Sequence, residues 1–370
     1  MSTRLPPRRA ESAERAGILR LCDAPAVAVT SKDIARRLNI SQSTVSRALR
    51  GDPRVSAETT ARILEAARQM DYTPNLAARS LITRKSGTIG LIVSDITNPF
   101  YPELLGVLHN EFALAGYRTV LFDERTDAPL DQHVAALVNG AAVDGLVYVS
   151  ATLGMPLPGS GTGRIPVVLV NRYLDGDAVD TVVSDNRAGG HAVAEAMLDL
   201  GHRRVALISG PENATTSRDR ERGFREGLET TGVTLDEALR RVGQFSHHSG
   251  YQWGLDLLTS RPRPTAIFAV NDLIAFGALD AARRIGIRVP DDLSVVGFDD
   301  TSAATTVWPE LTTVRQPVAA MADSAVDILL RSIRRKERDT RVVVDHVVAH
   351  QLIKRDSVAP PAATRGKSAT

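Results

Sequence analysis

Four apolar runs in this 370-residue sequence end on side chains that bond well to neighbouring hydroxyls. "TIGLIVS" is followed by Asp95, Asn98 and Phe100, and "RVALISG" leads to Arg218; "TAIFAV" precedes Asn271 and Asp272, and "SVVGF" precedes Asp299 and Asp300. An arginine donates two hydrogen bonds to a diol, an asparagine both donates and accepts, and a carboxylate accepts from two hydroxyls. Phe245, in "GQFSHHSGYQW", and Trp308 offer aromatic faces for a sugar's C–H surface or a planar base. The expected ligand-binding set is Asp95, Phe100, Arg218, Phe245, Asn271 and Asp299.

Other chemistries have weaker support. His247 and His248 are adjacent, so they are not the i, i+4 pair that a metal favours on a helix. "SGPENATTSRDR" lacks the glycine spacing of a phosphate-cradling loop. Consecutive carboxylates at a strand end rarely share one substrate face, so Asp300 is assigned to surface solvation. No catalytic residue, metal or cofactor is expected. Cys22 is the single cysteine, which excludes an internal disulfide and a cysteine-based zinc site and suits a reducing compartment, with cytoplasm as the expectation. The N-terminus has arginines but no continuous apolar core, and no segment approaches the ~20 apolar residues of a membrane span.

The elements that must position these side chains follow from pattern. After Gly87, "TIGLIVS", "YRTVLFD", "GLVYVS" and "PVVLV" read as buried strands, with helices at about 101–115, 131–139 and 186–200. "RVALIS", "TAIFAV" and "SVVGF" form a second set, with helices near 220–231, 249–259 and 271–285. This alternation predicts parallel sheets covered on both faces and wound in two lobes. Ligands sit beyond the carboxyl ends of such strands, so the four loops should converge in a cleft between the lobes. The stretch 148–176 should supply the remaining edge, with Ser150, Asn171 and Arg172 as its polar residues.

The first 86 residues differ in character. They hold 16 Lys+Arg against 8 Asp+Glu, whereas the remainder holds 29 against 35, a basic head on an acidic body that suits a polyanionic partner. "SKDIARRL", "SQSTVSRAL" and "SAETTARILEAARQM" read as three short helices, capped by Thr30 or Ser31, by Ser41 and by Ser56. Ala35, Asn39 and Val45 take the small, turn and packing positions of a helix-turn-helix corner. The second helix then offers Gln42, Ser43 and Arg47 to base edges in a major groove, while the hydroxyls of Thr30, Ser31, Thr44 and Ser46 reach phosphates.

The run from "SKDIARRLNISQSTVSRALRGDPRVSAETTARILEAARQMDYTPNLAARSL" to "TIGLIVSDITNPFYPELL" resembles the LacI/GalR family of bacterial transcription regulators. "NRAGG", "LGHRRVALISGP", "RGF", "NDLIAFGAL" and "SVVGFDD" extend the resemblance to about residues 30–352. It implies a helix-turn-helix head on a two-lobed, periplasmic-binding-protein-like α/β effector domain. It also implies a hinge helix that orders on DNA, with Leu81 wedged between base pairs from the minor groove and Arg79 beside it. Arg218, Asn271, Asp299 and Phe245 match effector positions, with Arg220 and Asp272 taken as structural.

The expected organisation is an extension over 1–29, the head over 30–73, the hinge and linker over 74–86, the effector and dimerisation body over 87–356, and a disordered tail over 357–370. The expected function is that of a homodimeric repressor of a carbohydrate operon, released from a near-palindromic operator by a sugar or related polyol. A purine or phosphorylated ligand stays open, as do a transport solute-binding protein, a sugar-modifying enzyme and a ligand-independent DNA binder.

Overall fold

A computed structural model describes residues 29–49, 51–72, 85–123, 142–155, 165–176, 179–335 and 345–362. The chain divides into two units, Met1–Arg84 and Lys85–Thr370. Arg79 and Leu81, the helix expected at 131–139 and most of the N-terminal extension lie outside the described residues.

The first unit contains α1 (Ser31–Leu38), α2 (Gln42–Ala48) and α3 (Ala57–Gln69). The amide and hydroxyl of Thr30 both donate to Asp33 Oδ2, at 2.9 and 2.7 Å, and fix the start of α1. Asn39 ends that helix in the left-handed region, at φ 55°. Ser41 Oγ accepts from the Thr44 amide at 3.1 Å, and Ser56 Oγ caps α3 by accepting from the Thr59 amide. Ile34, Ala35, Val45, Ala48, Ile63, Ala66 and Ala67 form the core that holds the corner.

The second unit contains two parallel sheets and a short antiparallel pair. The first lobe is built on β1 (Thr88–Val93), β2 (Arg118–Asp123), β3 (Gly145–Tyr148), β4 (Val167–Val170) and β5 (Asp180–Ser184), with α4 (Phe100–Leu114) packed beside them. The chain then enters the second lobe through α5 (Asn186–Asp199), β6 (Val205–Ser209), α6 (Thr215–Glu229), β7 (Arg240–Val242), α7 (His247–Thr259), β8 (Ala266–Ala269), α8 (Asp272–Arg284), β9 (Ser294–Val296) and β10 (Thr313–Arg315). It returns to the first lobe as α9 (Val318–Arg334) and β11 (Asp345–Val348), and crosses once more into β12 (Gln351–Ile353), which pairs with β10. The strand orders are β11-β5-β4-β3-β1-β2 and β7-β6-β8-β9.

Several elements depart from the sequence expectation. β2 is an exposed edge strand, not a buried one, with Val120 and Leu121 each more than two-fifths accessible. α9 is an addition to the expected helices, although Met321, Ala322, Ala325, Val326, Leu329 and Leu330 recur with helical spacing and are all buried. The start of the expected disordered tail is packed into the second lobe. Ser357 is fully buried: its Oγ donates to Val295 O at 2.6 Å and accepts from the Thr312 amide, and its carbonyl accepts from the Val295 amide. Unpaired main-chain groups along β9 recruit it.

Two glycines set the seam between α5 and α6. A Cβ on Gly190 would stand 2.1 Å from the Arg220 carbonyl oxygen, and one on Gly223 would stand 1.8 Å from that of Arg187. The two backbones therefore touch, which fixes the height of α6 and the position of Arg220. Among the described residues, no helix is long and apolar enough to cross a membrane.

Candidate functional site

On α2, residues 42, 43, 46 and 47 fall within about 140° of the helix circumference, opposite the buried Val45 and Ala48. Gln42, Ser43 and Arg47 are exposed on this face. Gln42 Nε2 donates to Ser31 Oγ at 3.1 Å, tying the start of α2 to α1. The hydroxyls of Ser43 and Thr44 each lie 2.8 Å from Ser41 Oγ, and Thr30 is exposed at the same end of the motif. The arrangement is a polar, donor-rich helix N-terminus above a packed corner, which is what a major-groove reader requires.

In the second unit, one cavity draws side chains from both lobes. The first lobe supplies Asn98, Phe100 and Tyr101 at the start of α4 and Asn171 and Arg172 after β4; the second supplies Thr216 and Arg220 from α6, Phe245 after β7, Asn271 after β8 and Asp299 after β9. Gln316 lines it from the crossover into α9. The unfilled space is about 220 Å³, including the mouth. Nearly every contribution comes from just beyond a strand's carboxyl end or a helix start, as parallel sheets dictate.

Arg220 anchors the second-lobe wall. Its Nε donates to Asn186 Oδ1 at 2.8 Å, its Nη1 donates to Val270 O at 2.7 Å and lies 3.2 Å from Asp299 Oδ1, and its guanidinium sits 3.7 Å over the Phe298 ring. Burial pushes the Asp299 carboxyl above the usual carboxylate range, with Arg220 and a 2.7 Å bond from Gln316 Nε2 pulling the other way. The Asp299 backbone has φ 125°, a strained conformation for a residue with a side chain, held by its amide's bond to Val314 O.

The first-lobe wall centres on Arg172. Its Nη1 donates to Ser150 O at 3.1 Å, its Nη2 to Tyr101 Oη at 2.9 Å, and the Phe245 ring of the other lobe lies 5.2 Å away. Asn271 serves two structures at once: its Oδ1 accepts from the Ile274 amide at 2.9 Å and caps α8, while its Nδ2 is buried without a partner. Asn171 Oδ1, Arg172 Nε and Gln316 Oε1 are likewise buried and unpartnered. Four unpartnered polar atoms thus belong to residues that line one cavity, where a polar ligand could bond to them.

The structure brings Phe100, Phe245, Asn271 and Asp299 to this cavity but not Asp95, Arg218 or Trp308. Asp95 Oδ1 accepts from the Thr97 amide and hydroxyl, shaping the turn into α4. Arg218 points elsewhere, gripping Asp175 at 2.7 and 3.0 Å and Tyr173 Oη at 2.9 Å. The reason is register: α6 begins at Thr215, so residues 218 and 220 are about 200° apart on its surface and only one can face the cleft. Trp308 is 76% exposed on the second lobe. Asp300 is not solvated surface either; its side chain is buried and clamped by Arg315 at 2.6 Å and Arg355 at 2.5 Å. Asp272, expected to be structural, is buried and accepts from Thr301 N, Thr301 Oγ1 and Thr313 Oγ1.

Known proteins match both units. Residues 30–75 match the family model for bacterial regulatory proteins of the lacI family, and residues 194–358 match a periplasmic binding protein-like domain. The chain is similar to the HTH-type transcriptional regulator DegA of Bacillus subtilis, at 33% identity over 90% of this chain and 98% of the relative. It is also similar to a ribose operon repressor of Halalkalibacterium halodurans, at 33% identity over 84% of this chain and 92% of that one. A solved lac repressor dimer bound to operator and an anti-inducer superposes with a TM-score of 0.78 at 25% identity, covering 90% of this chain and 99% of the other. With near-complete coverage of such relatives and both units in the same order, the chain belongs to the lacI family of bacterial regulatory proteins.

Proposed function

We infer that this protein is a homodimeric repressor that binds a near-palindromic operator and whose hold on DNA is set by a sugar or related polyol in the interlobe cavity. The observation that carries the effector half is the set of four unpartnered atoms, two of them acceptors (Asn171 Oδ1, Gln316 Oε1) and two donors (Arg172 Nε, Asn271 Nδ2). Hydroxyl groups satisfy both kinds at once, and the Phe100 and Phe245 rings suit a sugar's C–H face. The ribose operon repressor among its relatives agrees with a monosaccharide.

On the DNA side, Gln42, Ser43 and Arg47 read base edges, and Thr30, Ser31, Thr44 and Ser46 hold phosphates. Leu81 wedges a base step at the operator centre and Arg79 steadies the minor groove, so that bending and hinge folding occur together. A ligand bridging the two lobes favours one arrangement of them, and DNA affinity changes by the amount of that preference. The effector is bound and released unchanged, with no reaction step.

The test is fluorescence polarisation of the full chain on labelled DNA from the promoter nearest its own gene, at fixed salt, titrated with a panel of sugars and nucleosides. Specific binding to a palindromic site, shifted by one sugar, is expected. Specific binding that no compound alters overturns the effector assignment, and absence of specific binding overturns the regulator.

A further inference from the structure

The two arginines of the cavity differ in one respect. Arg220 has a carboxylate partner, Asp299, at 3.2 Å. Arg172 is only 5% exposed, yet among the described residues no carboxylate lies within ion-pair distance of it; its partners are a carbonyl, a phenol and an aromatic ring. Asp95 and Glu103, close in sequence to the lining residues of α4, are engaged with Thr97 and with the Ser302 amide. The charged side chains of the lining are thus Arg172, Arg220 and Asp299, and of these Arg172 alone has no direct ionic partner among the described residues. A buried cation without a counter-ion is unfavourable unless a ligand supplies one.

We propose that the effector is a monosaccharide acid, an aldonate or uronate, whose carboxylate docks on Arg172 while its hydroxyls meet Asn171, Gln316 and the Arg220–Asp299 pair. This rests on reading the cavity as a sugar site and narrows it. The two unpartnered donors, Arg172 Nε and Asn271 Nδ2, equal in number the two oxygens of a carboxylate, whereas a phosphate ester brings three. Asn171, adjacent to Arg172 in sequence, is neutral where an aspartate would offer Arg172 a carboxylate. Its φ of 71° is one that Asn and Asp both tolerate, so the exchange Asn171→Asp leaves the backbone preference intact.

Isothermal titration calorimetry on the full chain, with neutral aldoses paired against their own aldonates, uronates and phosphate esters, decides the matter. In the pair that binds, the acid should exceed the neutral sugar by about tenfold or more, the worth of one charge-assisted hydrogen bond. Asn171→Asp, and separately Arg172→Gln, should close that gap by weakening the acid selectively. Neutral sugar binding as tightly as its acid, a phosphate ester preferred to the carboxylate, or an acid preference that survives both substitutions overturns this inference and leaves the sugar site standing. Silence from every pair overturns the sugar site as well.

Discussion

Arg220 and Asp299 face each other at 3.2 Å with side chains only 3% and 4% exposed, one from a helix and the other from a strained turn after β9. Removing one member of such a pair leaves the other as an unpartnered buried charge. Arg220→Ala should therefore cost about 3–5 kcal/mol of stability in urea denaturation and abolish the ligand response. Arg218→Ala removes a half-exposed clasp to Asp175 and Tyr173, and should cost no more than about 1 kcal/mol while changing effector affinity only a few-fold. Equal effects of the two substitutions on effector binding, measured by calorimetry, would contradict the placement of the cavity on the Arg220 side of α6.

Asn271 allows its two jobs to be separated. Asn271→Ala should lose about 1 kcal/mol with the α8 cap and weaken effector binding as well. Asn271→Asp keeps the capping oxygen but puts a buried carboxylate oxygen in place of the unpartnered N–H, so the α8 cap should persist while effector affinity falls by about tenfold or more. A normal effector response in the Asn271→Asp protein would show that Nδ2 is not used.

Asp272 should make stability depend on pH. Burial first, and then the neighbouring Asp299, raise its carboxyl well above the ordinary 3.8, against the pull of the Thr313 and Thr301 bonds. A carboxyl raised in the folded state contributes stability that is fully present below about 3.8 and is lost as pH rises through the folded value. Urea midpoints should therefore fall from pH 5 toward alkaline pH, and Asp272→Asn should flatten part of that decline. A midpoint that rises over the same range in the parent protein would refute the sign.

The DNA-facing assignments separate by their signatures. Gln42→Ala should weaken specific operator binding by about 1–3 kcal/mol and relax base preference at one position. Leu81→Ala should weaken operator binding and reduce DNA bending, with effector affinity unchanged. Gel mobility of circularly permuted fragments reads the bend; unchanged bending in the Leu81→Ala protein would remove the wedge from the account.

How much of this was legible in the sequence depends on what each residue's placement requires. Asn271 and Asp299 follow directly from the ends of apolar runs, because a parallel strand delivers its next residue to the cleft. Val45, Ala35 and Asn39 follow from the tight corner they build. Arg218 and Arg220 could not be told apart without the true start of α6, since a helix begun at 220 leaves 218 in a loop and hides the half-turn between them. Gln316 carries no local signal: it reaches the cavity because the chain changes lobes there. Asn171 and Arg172 do have one, the end of "PVVLV", and their importance emerges only when their unpartnered atoms are seen. α9 was readable from its apolar spacing, whereas the anchoring of Ser357 depends on a strand edge 62 positions upstream.

Among the described residues the chain passes between the two lobes three times, so neither lobe is a single stretch of sequence. The first lacks α9 and β11 until residue 348 has been made, and the second lacks β12 and the Ser357 anchor until later still. A ribosome making this protein releases the helix-turn-helix head first and the strands that complete the two lobes last. During synthesis, the part that reads the operator exists before either lobe of the part that answers to a metabolite is whole.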